Sequence, residues 1–355
     1  MKSTRKSMLA LYAGLALITL AARAEDRPFP HVPTTVSPMA QQFLKTQTPT
    51  AGEIGSIEEW KQVRKQYNSR NTERNRQIKE KYTRKSEHQT IEGVPVLVVT
   101  PKSYDPKKGR KILLYIHGGA YTLGKPDFLY ADFAPLADRT GLKVYAVDYR
   151  LAPEHPFPAA LEDALKVYRN LQRRVGARNI AILGDSAGGA LSLSMLLKAH
   201  AEDLPMPAAV VLYSPWSDID KIGDTYYTLS GVAPILDYDK NLRSSAQAYA
   251  KGHDMKDPLI SPVYGHYERD FPPTLIQVGT RDIFLSNCVR LYRTMKRSGA
   301  PAELSVWEGM WHVFESLDGL PEAQEAVAEA ASFLDKHMQT QKVAHNATMK
   351  YYGNN

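Results

Sequence analysis

The sequence holds one cysteine, Cys288, in 355 residues, so an intramolecular disulfide cannot form. Cys288 lies in a stretch with a helical pattern, and we interpret it as a buried apolar side chain rather than a second nucleophile. Internal repeats and clusters of metal-ligating residues are also missing from the sequence. The sequence therefore predicts neither a bound metal nor another cofactor.

Long apolar runs are scarce, and the one near the N-terminus, Met8–Ala22, is too short to span a bilayer comfortably. Basic residues precede this run, and Ala-Arg-Ala at residues 22–24 ends it. This pattern is typical of a secretory signal peptide, so we expect cleavage before Glu25 and a periplasmic or secreted protein. A retained anchor helix is the alternative. Because cysteine is absent directly after the run, we do not expect a lipoprotein anchor. Because the run is short and its end suits cleavage, we do not expect stable membrane insertion.

A strong charge of either sign is absent once the predicted signal is removed. The full chain carries a net charge of +7, and residues 1–24 contain four basic and no acidic residues, so the remainder carries +3. We therefore do not expect a nucleic-acid partner. The remaining 331 residues exceed a typical domain, but α/β proteins of this size often fold as one body with an inserted subdomain.

The strongest positive signal is Gly-Asp-Ser-Ala-Gly at residues 184–188. It follows the apolar run 179–183, which predicts a buried strand, and precedes residues 190–197, which predict a helix. Such a turn strains the serine backbone, exposes Oγ and aims the helix N-terminus at it. The two glycines are expected because side chains there would collide with the neighbouring strand or helix. Ser186 is therefore the candidate nucleophile.

A catalytic serine needs a histidine to take its proton and a carboxylate to orient that histidine. In α/β-hydrolases the chain order is serine, then acid, then histidine. Asp282 follows a predicted strand at residues 274–279, and His312 follows another at residues 302–307. Taken alone, Asp282 could be a turn or helix-cap aspartate, and His312 could be a loop histidine without a catalytic role. Their order and their positions after strands favour a Ser186–His312–Asp282 triad.

A predicted strand at residues 111–116 runs into His-Gly-Gly-Ala at residues 117–120. Backbone N–H groups of such a loop, together with that of the residue after the nucleophile, can stabilise a tetrahedral oxyanion. A simple Gly-Gly turn is the alternative for the dipeptide alone. The candidate oxyanion-hole residues are Gly118, Gly119, Ala120 and Ala187.

The chain resembles the hormone-sensitive-lipase-like esterases of the α/β-hydrolase superfamily across roughly residues 86–335. The matching segments are His-Gly-Gly-Ala-Tyr at 117–121, residues 148–160, residues 184–189 and Asp-Pro-Leu-Ile-Ser-Pro at 257–262. The resemblance implies that Gly119 and Ala120 donate to the oxyanion. The family has a third glycine where this chain has Ala120, which still offers an N–H but resists a backbone angle reserved for glycine. Residues 279–287 are also similar, more weakly, to bacterial lactone hydrolases.

Strand and helix patterns alternate from Lys111 to a helix at residues 322–337, after a predicted hairpin about Gly93 with strands at 88–92 and 95–100. This alternation predicts an α/β fold, the α/β-hydrolase fold, with a mostly parallel sheet covered on both faces. Two helical segments interrupt it, and the resemblance implies that they form a cap above the serine. The predicted organisation is a signal peptide (1–24), an N-terminal cap segment (25–85, with a helical stretch at 56–85), a first core part (86–216), a cap insertion (217–256), a second core part (257–340) and a flexible tail (341–355).

We expect a narrow substrate pocket under this cap. Its predicted lining residues are Tyr121, Asp185, Trp216, Leu285, Val313 and Phe314. Asp185 also has a purely structural explanation, because a carboxylate at a helix N-terminus stabilises the helix. Arg150 and Glu154 are expected to form a buried ion pair or a hydrogen-bonded turn that braces the site, because a lone buried charge is costly.

The sequence therefore predicts a serine carboxylesterase that hydrolyses short-to-medium acyl esters or lactones with water. An amidase or formamidase would use the same triad and is the alternative. A non-catalytic binding protein on this fold ranks lower, because the triad is intact. The sequence leaves a homodimer open.

Overall fold

Short apolar runs form the central strands, and most are buried on both faces, as expected for a parallel sheet. Side chains alternate between the two faces: Ile112 and Leu114 contact one core cluster, whereas Leu113 and Tyr115 contact the other. The computed structural model describes residues 31–45, 54–70 and 72–338. The described residues from Pro33 onward belong to one compact unit.

Eight strands form one sheet in the order β1-β2-β4-β3-β5-β6-β7-β8. The β1–β2 and β2–β4 pairs are antiparallel, and every other pair is parallel. The strands are β1 (Thr83–Ile91), β2 (Val94–Pro101), β3 (Ile112–Ile116), β4 (Lys143–Val147), β5 (Ile180–Asp185), β6 (Ala209–Tyr213), β7 (Thr274–Gly279) and β8 (Ala302–Trp307). The parallel part places the carboxyl ends of β3, β5, β6, β7 and β8 along one edge, where open α/β sheets bind ligands.

Helices cover both faces of the sheet. One face packs against α5, α6 and α9, and the other against α3, α4 and α10. The α-helices are α1 (Pro38–Leu44), α2 (Ile57–Arg70), α3 (Thr72–Tyr82), α4 (Tyr130–Thr140), α5 (Ala159–Val175), α6 (Ser186–Ala201), α7 (Thr225–Thr228), α8 (Arg243–Ala250), α9 (Leu285–Ser298) and α10 (Pro321–Met338). A π-helical turn, Tyr238–Leu242, leads into α8. The predicted α/β-hydrolase fold is confirmed.

Segment boundaries follow the sequence patterns closely in the core. Strands β7 and β8 have the predicted limits, whereas the hairpin about Gly93 is longer than predicted, from Thr83 to Pro101. The helical stretch expected over residues 56–85 contains α2 and α3, and its last three residues belong to β1. The added strand length pairs polar, half-exposed residues of β1 with β2, a pattern that apolar runs alone do not reveal.

The residues that flank the core were expected to form a cap. Helix α8 reaches the loop after β3, where Ser245 Oγ lies 2.9 Å from Thr122 Oγ1 and the Tyr249 ring stacks on Tyr121. Helix α1 instead packs beside the loop after β8, in a small third cluster with Met310 and Trp311. The N-terminal region therefore contributes to the core at this position.

The predicted signal peptide (1–24) and the predicted tail (341–355) lie outside the described residues. Within residues 31–45, 54–70 and 72–338, the structure contains no helix that is both long enough and apolar enough to cross a membrane.

Candidate active site

The Ser186 turn lies where β5 meets α6. Ser186 has φ +52°, a left-handed backbone that is costly for a non-glycine residue. A Cβ at Gly184 would lie 2.6 Å from the Gly188 carbonyl oxygen, and one at Gly188 would overlap the Ile116 carbonyl oxygen of β3. Both collisions were predicted from the sequence. Close packing of strand, turn and helix therefore requires both glycines and fixes the serine at the sheet edge.

Three side chains from different strand ends meet at this edge. His312 Nε2 lies 2.9 Å from Ser186 Oγ, and His312 Nδ1 lies 3.0 Å from Asp282 Oδ2. The carboxylate accepts from Nδ1–H, which leaves Nε2 free to accept the serine proton. The Asp282 side chain has no exposed surface, and Phe284 donates its backbone N–H to Asp282 Oδ1 (2.9 Å). The structure thus brings together all three residues of the predicted triad.

The loops that carry Asp282 and His312 are bonded to each other. Arg281 donates its backbone N–H to the Met310 carbonyl (2.8 Å), and Gly309 donates to Thr280 Oγ1 (2.8 Å). The Phe284 ring meets the His312 ring edge-on, with centroids 4.9 Å apart. These contacts hold the imidazole in one orientation before substrate arrives.

The loop after β3 has its own set of partners. Tyr149 donates its hydroxyl to the His117 carbonyl (2.7 Å), and Gly118 donates its N–H to Asp185 Oδ1 (3.0 Å). His117 Nδ1 lies 2.6 Å from the Gly118 carbonyl, which can only accept, so Nδ1 carries the proton. Burial lowers the pKa of His117 to about 4, so the ring is neutral near pH 7.

These contacts correct one prediction. The Gly118 N–H is committed to Asp185 and cannot donate to an oxyanion at the same time. The sequence did not reveal this, because the acceptor lies on a different strand. Gly119 (φ +110°) and Ala120 (φ +52°) follow in left-handed backbone. Within the described part of the chain, neither N–H has a protein acceptor.

Ala120 adopts the backbone angle that its side chain was expected to resist, at a cost on the order of 1 kcal/mol. Tyr121 follows with φ +63°, so two consecutive non-glycine residues are strained. The N–H of Ala187 lies in the first turn of α6, where intrahelical acceptors are lacking. Gly119, Ala120 and Ala187 are therefore the three available oxyanion donors.

Asp185 lies beneath the site. Its Oδ1 accepts from Tyr115 Oη (2.7 Å) as well as from Gly118, so it positions the loop and leaves substrate contact to others. Burial raises the pKa of Asp185 to about 6, against the opposing effect of these hydrogen bonds. A second carboxylate, half-buried Asp132, has its pKa raised by desolvation and then by Asp185.

The other predicted pocket residues separate into two groups. Leu285 is half-buried at the start of α9, and Val313 follows His312 in left-handed backbone (φ +50°). Tyr121, Trp216 and Phe314 have almost no exposed surface.

The buried aromatic residues correct the predicted lining. The Trp216 indole N–H donates to Tyr226 Oη (2.8 Å) and its backbone N–H donates to the Ser186 carbonyl, so it supports the nucleophile turn. Phe314 packs in the third cluster beside Met310. Neither offers a surface for substrate in this conformation. The Tyr121 ring stacks on Tyr249 with centroids 3.7 Å apart.

The expected Arg150–Glu154 pair does not form. Arg150 binds Asp163, with Nε 2.8 Å from Oδ2, because α5 brings that carboxylate alongside. Glu154 binds Arg64 of α2 instead, through both carboxylate oxygens at 2.7 Å. Sequence reasoning missed Arg64, since it is one of many charged residues on a mostly exposed helix.

Three titratable groups gather elsewhere: His200, Glu268 and Asp270 lie close enough to share an ion. The two carboxylates are exposed, and His200 Nε2 lies 3.3 Å from Asp270 Oδ1. An ion pair at the surface between His200 and Asp270 is sufficient to explain why these side chains lie close together.

Comparison with known proteins finds relatives of the same fold. A family model described as the alpha/beta hydrolase fold matches residues 113–316. An acetyl-hydrolase of Streptomyces hygroscopicus is 36% identical over 226 residues, which cover 63% of this chain and 75% of that protein. An ethyl acetate hydrolase of Pseudomonas putida is 29% identical and covers 69% of this chain and 79% of that protein.

Solved structures of esterases share this fold. The crystal structure of an esterase named E25 superposes with a TM-score of 0.81 at 33% identity, covering 88% of this chain and 97% of that chain. An esterase from the bacterial hormone-sensitive lipase family superposes with a TM-score of 0.70 at 29% identity, covering 80% of this chain and all of that chain.

Proposed function

Because this chain belongs to the hormone-sensitive-lipase-like esterases of the α/β-hydrolase superfamily and is a carboxylic ester hydrolase, we propose that it cleaves short-to-medium acyl esters or lactones through an acyl-enzyme on Ser186. The observation that carries this proposal is the hydrogen-bonded chain from Asp282 through His312 to Ser186, at 3.0 and 2.9 Å. Serine is a poor nucleophile without such a base.

Each step has a residue in place for it. His312 Nε2 takes the Ser186 proton as Oγ attacks the ester carbonyl, while Asp282 stabilises the imidazolium. The N–H groups of Gly119, Ala120 and Ala187 bind the oxyanion, and the N-terminus of α6 adds a favourable dipole. His312 then gives its proton to the leaving alcohol. Water, deprotonated by the same histidine, releases the acyl group and restores Ser186.

The nucleophile is tested by Ser186→Ala, with Ser194→Ala as the matched control. Ser194 lies on the same helix and is buried, and its hydroxyl has no partner among the described residues, so its loss should leave activity near wild type. We expect Ser186→Ala to lower kcat for p-nitrophenyl acetate by more than about 1,000-fold and to abolish fluorophosphonate labelling. Retained labelling, or a smaller loss in a folded variant, would contradict the assignment.

The substrate proposal is a small acyl group, supported by relatives that are named acetyl-hydrolase and ethyl acetate hydrolase. A closed pocket gains roughly 0.8 kcal/mol per buried methylene only until it is full. We therefore expect kcat/KM to peak at acyl chains of about two to eight carbons.

A series of p-nitrophenyl esters from acetate to palmitate measures this peak, with lactones and acetylated sugars assayed in parallel. Activity that rises out to long-chain triglyceride emulsions would indicate a true lipase. A matched ester and amide pair tests the amidase alternative, since faster amide cleavage would reverse the order of the two functions.

A further inference from the structure

Arg64 of α2 joins three parts of the chain near the oxyanion loop. Its Nε donates to the Thr122 carbonyl (2.7 Å), and its Nη2 donates to the Ala152 carbonyl (2.6 Å). Nη1 and Nη2 also bind the two oxygens of Glu154, each at 2.7 Å. The Arg64 side chain is only 19% exposed. A planar guanidinium can make all these bonds at once, whereas an ammonium cannot.

The Thr122 carbonyl is the start of a path to the oxyanion hole. Thr122 C=O and Leu123 N–H belong to one peptide group, and Leu123 N–H donates to the Gly119 carbonyl (2.8 Å), which also accepts from Thr122 N–H (3.0 Å). Gly119 C=O and Ala120 N–H belong to the next such group. In a planar trans peptide the N–H points opposite to the C=O, so the two bonds on Gly119 C=O set the direction of Ala120 N–H.

We propose that Arg64 is a positioning residue for ester hydrolysis: it fixes and polarises the Ala120 N–H through the peptide groups 122–123 and 119–120, which we call the peptide relay. This inference rests on the proposed role of Ala120 as an oxyanion donor. Hydrogen bonds in such a chain polarise one another, and the cation at its start increases the positive charge on the last N–H.

Backbone strain makes this positioning necessary. Ala120 and Tyr121 both have left-handed backbone, which persists only where surrounding contacts enforce it. Arg64 holds the carbonyl one residue beyond this pair, and the Ala152 N–H donates to the Tyr121 carbonyl (2.9 Å). Because Arg64 also donates to the Ala152 carbonyl, it connects the residue that holds Tyr121 to its own bond with Thr122.

Glu154 fixes the orientation of the Arg64 guanidinium. Its paired oxygens match the two Nη groups, which leaves Nε directed at Thr122. The hydrogen bond from Arg64 holds the pKa of Glu154 below its usual value, so the pair stays ionised at the pH of an esterase assay.

The test compares Arg64→Ala with Arg150→Ala. Arg150 is a matched control, since it also binds a carboxylate (Asp163) and a backbone carbonyl (Ala159) but does not contact the oxyanion loop. We expect Arg64→Ala to lower kcat by about 10- to 100-fold with KM changed by less than about threefold, because misdirecting a donor weakens transition-state binding. An alkyl trifluoromethyl ketone, whose serine adduct carries an oxyanion, should lose affinity by the same factor.

Two further measurements separate positioning from plain stabilisation. Arg64→Lys keeps the charge opposite Glu154 and should keep the thermal midpoint, yet lose about tenfold in kcat because it cannot span the carbonyls. Millimolar ethylguanidine should restore part of the kcat of Arg64→Ala and have no effect on Arg150→Ala.

The relay is wrong if folded Arg64→Lys keeps the wild-type kcat, or if Arg64→Ala raises KM with kcat unchanged. If Arg64→Ala does not fold, Arg64→Lys and its inhibitor affinity decide the outcome. Failure of the proposed function looks different, since Ser186→Ala would then retain activity and fluorophosphonate labelling.

Discussion

Strain at single residues concentrates around the triad. Of the eight non-glycine residues with positive φ in the described ranges, five border the site. Each costs on the order of 1–3 kcal/mol and persists only where packing and hydrogen bonds enforce it. Around the triad, the strained backbone directs Ser186 Oγ, the Ala120 N–H and the His312 ring toward one point. The five residues are Ala120, Tyr121, Ser186, Ser214 and Val313.

The protonation of Asp185 makes the free energy of unfolding depend on pH. Its folded pKa of about 6 lies above its ordinary value of 3.8, so between about pH 4 and 6 the folded protein keeps a proton that the unfolded chain has released. The free energy of unfolding should therefore fall as pH rises through this window. Asp185→Asn keeps an oxygen for Tyr115 and Gly118 but removes the charge. We expect this variant to gain stability relative to wild type as pH rises from 4.5 to 7.5.

Urea unfolding of both proteins at several pH values measures this difference. Tyr115→Phe provides a second check, because the Tyr115 hydrogen bond lowers the pKa of Asp185. Its loss should move the midpoint of the effect to higher pH. A stability difference between Asp185→Asn and wild type that does not vary with pH would contradict the assignment.

The sequence predicts the triad well and the supporting contacts poorly. Asp282 and His312 follow strands of a parallel sheet, and parallel strands end at one edge, so spacing alone brings them near Ser186. The role of Gly118 could not be predicted, because its N–H is bonded by a side chain from a neighbouring strand. Arg64 gives no local signal, since only the fold brings it to Thr122 and Ala152.

At the scale of elements, α1 supports the loop that carries His312. The Phe43 ring stacks on Trp311, the residue before His312, with centroids 3.8 Å apart and planes at 19°. Ser37, the N-cap of α1, donates from its backbone N–H and its hydroxyl to Glu322 at the start of α10 (2.6 and 2.9 Å). The sequence could not predict this docking, because α1 has only seven residues and its partners lie more than 260 residues away.

Phe43→Ala tests this support. We expect it to destabilise the fold by about 1–2 kcal/mol, since a half-buried aromatic stack is lost, and to lower kcat more than it raises KM, since Trp311 precedes the general base. Met39→Ala is the control, because Met39 lies on the same helix and is 44% exposed. Thermal unfolding and steady-state kinetics measure both effects. Equal behaviour of the two variants would mean that α1 does not support the histidine.

At the scale of the whole molecule, one sheet edge gathers the ends of β3, β5, β6, β7 and β8, so residues spread from His117 to His312 form one site. Alternating strand and helix patterns were sufficient to predict this architecture. They did not predict how α2 and α8 approach the loop after β3, because polar contacts such as Arg64 to Glu154 depend on geometry and not on periodicity.

We propose that residues 1–24 direct export and are then removed. Lys2, Arg5 and Lys6 precede the apolar run, and a signal peptidase requires small residues such as Ala22 and Ala24 at its cleavage site. We expect mass spectrometry of the full chain expressed in a Gram-negative bacterium to give a mature protein in the periplasm or medium that begins at Glu25. Ala24→Asp should block cleavage, since a charged side chain does not fit a pocket for small residues, whereas Ala24→Ser should be cleaved. An intact Met1 on active wild-type protein would instead support a retained anchor, and esterase activity that stays in the cytoplasmic fraction would contradict export.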